Sequence, residues 1–128
     1  MLESPATRTI EGYVSKSSGE TLGKEWTFAI SDRLKINFEM VARAEPTKFS
    51  LNLSGLIDGA WTTLVRYDNS HQPCHRHIYY PDDPPSEHTF LAVIPATFFG
   101  QAQRELKLNA ADYLEEYERR LANMNRGR

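Results

Sequence analysis

The chain has 128 residues, of which 40% are hydrophobic and 25% charged, with a net charge of −2 and one cysteine. That is one domain's worth of sequence, able to bury about two-thirds of its unfolded surface without a metal or disulfide. The composition excludes wholesale disorder, the single cysteine excludes an internal disulfide framework, and the charge argues against a domain that coats nucleic acid non-specifically.

No apolar run reaches the ~20 residues of a membrane span. The opening MLESPATRTIEG has neither the basic patch nor the apolar core of a signal peptide. Both point to a cytoplasmic protein with no membrane partner. Residues 1–25 are polar and rich in serine and glycine, and read as a mobile arm in which residues 9–14 have the pattern of a short edge strand.

A single domain is expected over residues 26–128. Trp26, Phe28 and Ile30 recur every second residue, and Asp32 and Arg33 make a turn. Leu34, Ile36, Phe38, Met40 and Ala42 then alternate with mostly polar residues through position 43, the period of a half-buried strand. Residues 48–57 repeat the pattern through Phe49, Leu51, Leu53 and Ile57. Asp58-Gly59 is a hairpin dipeptide, after which Trp61, Val65 and Tyr67 are expected on one side of the returning strand. Residues 75–80 and 89–94 read as shorter strands, the latter alternatively as a buried connector, with a stiff loop at Pro81, Pro84 and Pro85 between them.

From Ala96 the period becomes helical. Ala102, Leu106, Ala110, Tyr113, Tyr117, Leu121 and Met124 form an amphipathic stripe. It reads as one long helix or as two, the second capped by Asn109. The fold class expected is therefore α+β: an antiparallel meander of four or five strands with the C-terminal helix packed across its greasy face.

Residues 66–77 read RYDNSHQPCHRH, three histidines and two arginines within twelve positions at the end of a predicted strand. Four readings fit. In the structural one, Asp68 and Asn69 hold a turn, Arg66 pairs with Asp68, and the histidines are solvated. In the second, His75 and His77 share one face of an extended segment and bind a metal, with His71, Cys74, Asp68 or His88 completing the site. No Cys-x-x-Cys pair accompanies them, and neither a metal nor a cofactor is expected.

The third reading is metal-independent RNA cleavage. Histidines titrate near neutrality and can share acid and base duty. Here His71, His75 and His77 are the catalytic candidates together with Arg66, whose guanidinium would stabilise phosphate charge. Among the substrate-binding candidates, Tyr67 would stack on an unpaired base, Arg76 would join Arg66 on the phosphate, and Asp68 would orient a histidine. Arg66 and His71 also have the Arg-x-x-x-x-His spacing that resembles the motif of HEPN ribonucleases, although those domains are all-helical and this motif ends a strand. The fourth reading is recognition without catalysis, with the same loop or the helix docking on a partner. Cys74 is a lone cysteine and argues for no covalent mechanism.

The passage LIDGAWTTLVRYDNSHQPCHRH, followed by the amphipathic helix, resembles small uncharacterised prokaryotic proteins with an Arg-Tyr-Asp and then a His-Arg-His pattern. Some of these are similar to toxins of type II toxin–antitoxin pairs. The resemblance points to Arg66, Tyr67, Asp68, His71, His75, Arg76 and His77. It departs from the usual pattern after His71, where Gln72-Pro73-Cys74 replaces a glycine, and in the proline-rich insertion at 81–87. It implies a small toxin-like protein with an antitoxin or other protein partner; RNA as a partner follows from the cleavage reading, and a homodimer is a further expectation. The rival expectation is a non-catalytic interaction module within a larger complex.

Overall fold

A computed structural model describes residues 9–15, 22–41, 48–69, 74–89 and 97–127. The strands are β1 (Thr9–Ser15), β2 (Leu22–Ser31), β3 (Leu34–Val41), β4 (Lys48–Ile57), β5 (Ala60–Asp68), β6 (His75–Ile78) and β7 (Ser86–Thr89), followed by one helix, α1 (Thr97–Arg126). All seven strands form a single sheet whose spatial order is their chain order, and every neighbouring pair is antiparallel. The class is α+β, as expected.

The sheet is larger than the four or five strands read from periodicity. Strand structure begins before Trp26: β1 falls where the edge strand at 9–14 is expected, and the first residues of β2 lie within the segment read as an arm. The last strand among the described residues is Ser86–Thr89; the expected strand or connector at 89–94 lies, beyond Thr89, outside the described residues, as do Ala42 and Arg43. Strands this short or polar are held by pairing to a neighbour's backbone, so their own pattern carries little signal.

One face of the sheet is apolar because β3, β4 and β5 alternate. Leu34, Ile36 and Phe38 of β3, Phe49, Leu51, Leu53 and Ile57 of β4, and Leu64, Val65 and Tyr67 of β5 are buried there with Cys74. The helix covers this face with Ala102, Leu106, Ala110 and Leu114, while Tyr113, Tyr117 and Leu121 pack partly against it. At one end Trp26 stacks on Phe38, with ring centroids 4.8 Å apart, and Phe99 closes on both. Asn109 caps no second helix. It lies within α1 and donates from Nδ2 to the Glu105 carbonyl four residues back.

The turn at Asp58-Gly59 is as expected, with φ of 50° and 79° at the two residues, the left-handed pair a tight hairpin requires. The strand after it is not regular. Leu53 pairs with Val65 but Ser54 pairs with Thr63, which leaves Leu64 as an extra residue. This bulge puts both Leu64 and Val65 into the core. It also sends Trp61 to the opposite face, 45% exposed, where Lys35 Nζ sits 4.2 Å from its ring centre. The expectation that Trp61 shares a side with Val65 and Tyr67 is thereby corrected.

Candidate functional site

The Arg/His segment is divided by the sheet it belongs to. Register pairs Arg66 with His77 and Asp68 with His75 across β5 and β6, and His77 with Glu87 and His75 with Thr89 across β6 and β7. Cross-strand partners share a face and alternate residues switch it. Arg66, Asp68, His75, His77, Glu87 and Thr89 therefore lie on the face without the helix. Tyr67 and Arg76 lie on the helix side, and cannot touch the same phosphate as Arg66 from there. His71, the remaining catalytic candidate, lies outside the described residues.

On the open face, Arg66 is bound to Asp68 at 3.0 Å, the intra-strand pairing of the structural reading. Glu87 Oε2 lies 2.8 Å from His75 Nδ1 and 3.6 Å from His77 Nε2. Thr89 Oγ1 is 3.2 Å from the same His75 nitrogen. The imidazole centroids are 6.1 Å apart with planes inclined by 23°. Glu87 had no signal in the sequence beyond following two prolines.

The helix side is a different structure. Tyr67 Oη donates to Glu105 Oε1 and Tyr113 Oη to Glu105 Oε2, each at 2.6 Å, and Asn109 Nδ2 donates to Oε2 at 3.1 Å. Burial, then the hydrogen bond to Glu105, pushes both phenols well above their ordinary range. Burial works against the Arg76 charge, but its contacts with Tyr67, Tyr113 and Glu105 outweigh that and raise its pKa. Arg76 Nε is buried without a hydrogen-bond partner. The cluster ties α1 to β5 and β6, a clamp between the two layers. Its Glu105 sits one residue from Leu106 of the apolar stripe, which the helical period alone makes look like an ordinary polar neighbour.

Other residues of the segment have structural roles. Asn69, 3% exposed, accepts from the Phe49 amide through Oδ1 at 2.7 Å and prolongs the β4–β5 pairing. Cys74 is in the core, where burial pushes its thiol up to about 11. His88 pairs in register with Arg76, on the side away from His75 and His77. Neither it nor Cys74 can join those histidines around one ion. Among the described residues, no group of three or more His, Cys, Asp and Glu side chains is arranged to hold a metal.

A cleft of about 150 Å³ lies between α1 and the end of β6, lined by Leu64, Ile78, Tyr79, Tyr80, Tyr113, Glu116 and Tyr117. Arg120 closes beside it, 4.0 Å from the Tyr80 ring centre and bound to Asp82, Asp83 and Glu116. Among the described residues no helix is long and apolar enough to cross a membrane.

Fold and site together define a one-sheet α+β protein with a helix on one face and a histidine- and arginine-bearing surface on the other. The chain belongs to the family described as Domain of unknown function (DUF7718), whose model matches residues 21–123. No curated protein and no solved structure shows significant similarity to it.

Proposed function

We propose that this is a small toxin-like protein that cleaves RNA without a metal at the helix-free face of its sheet. The observation that carries the reading is the placement of two imidazoles and a guanidinium at adjoining register positions on one solvent-facing surface. His77, opposite Arg66, takes the proton of an RNA 2′-hydroxyl. The 2′-oxygen attacks phosphorus, and the bond to the 5′-oxygen breaks. His75, oriented by Glu87, or His71 returns a proton to that leaving oxygen. The products are a 2′,3′-cyclic phosphate and a 5′-hydroxyl. Arg66 stabilises charge on the phosphate, with Asp68 orienting the guanidinium. Tyr67 and Arg76 serve the clamp.

The test is incubation of the purified protein with single-stranded RNA in the presence of a chelator. Cyclic-phosphate ends that disappear in the His77→Ala protein are expected. Uncut RNA, or equal cutting by both proteins, removes the reading.

A second reading, a non-catalytic partner subunit, is favoured by Trp61, a large aromatic exposed on the same open face. It predicts that Trp61→Ala abolishes capture of a co-expressed protein partner, such as an antitoxin, while the histidine variants still capture it.

A further inference from the structure

The rings of β6 continue beyond the two histidines. His75 and His77 are 6.1 Å apart, and His77 and Tyr79 are 6.2 Å apart with planes inclined by 31°. The three rings form a row of roughly parallel planes along one strand. The row ends at Tyr79, one residue past the end of β6. All three residues are half-buried, so their inner edges are held while their outer edges meet solvent.

We infer that this row is a stacking platform for unpaired bases, and that RNA is taken as a single strand laid along β6 on the helix-free face. The inference rests on the RNA reading above, but not on cleavage. A flat ring between two others needs roughly 3.5 Å on each side. Glu87 already bridges His75 and His77, so the base goes between His77 and Tyr79, whose centroid spacing of 6.2 Å falls short of that by under about 1 Å, within a small side-chain rotation. Base stacking on aromatic side chains is how single strands are held with little regard to sequence. A duplex hides its base faces and cannot use the row. Arg66, cross-strand from His77, lies beside the row where the sugar–phosphate chain would run.

The experiment uses a 2′-O-methyl RNA strand, which cannot form the cyclic phosphate, and follows binding by fluorescence anisotropy at fixed salt. The single strand should bind at least about tenfold tighter than its duplex. Tyr79→Ala should weaken it by about 5- to 150-fold, the range for loss of one stacked base. Tyr79→Phe should stay within about twofold. Tyr79→Leu, which fills the space without a π face, should behave like alanine and covers the case in which Tyr79→Ala does not fold. Equal binding of duplex and single strand, no binding, a Leu variant as tight as wild type, or tighter binding of the matching DNA strand would each overturn the proposal. If the strand binds as described but wild type cuts no RNA, cleavage falls and the platform stands. If RNA is cut and binding ignores Tyr79, the platform falls and cleavage stands.

Discussion

Leu114 Cδ1 of the helix lies 2.8 Å from the point a Cβ would occupy on Gly55 of β4, and Leu64 Cδ1 lies 3.0 Å from it. Gly55 is thus a gap in the sheet into which the helix and the bulge both press. Gly55→Ala should destabilise the fold by roughly 1–3 kcal/mol through overpacking, and Leu114→Ala by about 2–5 kcal/mol through the cavity it leaves. Together they should cost less than their sum, because the added methyl enters the space that Leu114 vacates. Urea unfolding of the three variants measures the coupling; strict additivity would refute the close approach.

Alkaline stability should fall in two stages. The Cys74 thiol is raised from 9.0 to about 11, and Tyr67 and Tyr113 are raised above their ordinary 10.0. A raised acid holds its proton more tightly when folded. Its contribution is therefore complete below the unfolded value and lost as pH rises through the folded one. The urea midpoint should begin to drop near pH 9, and drop further above pH 10 as the unfolded chain's phenols ionise. Cys74→Ala should flatten the first stage and leave the second.

Glu116 is held down to about 2 by hydrogen bonds from Arg119 and then Arg120. Its contribution is present above the ordinary 4.5 and lost as pH falls toward 2. Arg120 also reaches Asp82 and Asp83, so the loop at 80–83 should loosen with it. Amide exchange in 79–85 should quicken in Arg120→Ala, with the rest of the sheet unchanged. Unaltered exchange there would show that the loop does not depend on this arginine.

Replacing His77, His75 or His71 by alanine should lower RNA cleavage by about 10²–10⁴-fold, the usual worth of general acid–base catalysis. The wild-type rate should trace a bell in pH, because one imidazole must be neutral while another is protonated. Arg66→Lys should also be damaging, since lysine keeps the charge and loses the planar fork. On an open surface these changes should move stability by no more than about 0.5 kcal/mol. If Arg66→Lys instead melts the protein, Arg66 and Asp68 are a structural pair.

Much of the sheet was legible because β3 and β4 bury one face, and period two marks such strands directly. The bulge was not, since one added residue reverses every later side chain; the adjacent apolar pair Leu64-Val65 was its trace. Leu114, four residues beyond Ala110, is the buried member of the stripe, and the neighbouring Tyr113 at three-residue spacing masks it. The division of the Arg/His segment was available from parity alone, as 66 and 68 oppose 67, and 75 and 77 oppose 76. Counting residue types along a stretch merges what a pleat separates. Glu87 and Glu105 could not be found this way, because their roles come from contacts between distant parts of the chain.

The uninterrupted neighbour-to-neighbour order of the sheet bears on how the molecule is made. Each strand can pair as soon as its successor leaves the ribosome, with only short loops to close, and such local connectivity favours rapid assembly. The cover for the apolar face, however, is synthesised after all seven strands. During translation a growing sheet therefore shows Ile36, Phe38, Leu51 and Leu53 to the surroundings until α1 emerges. That interval is when self-association competes with folding. The danger is spread along one surface rather than one edge, and a chaperone that shields a flat greasy sheet would suit the nascent chain better than one that grips a single extended segment.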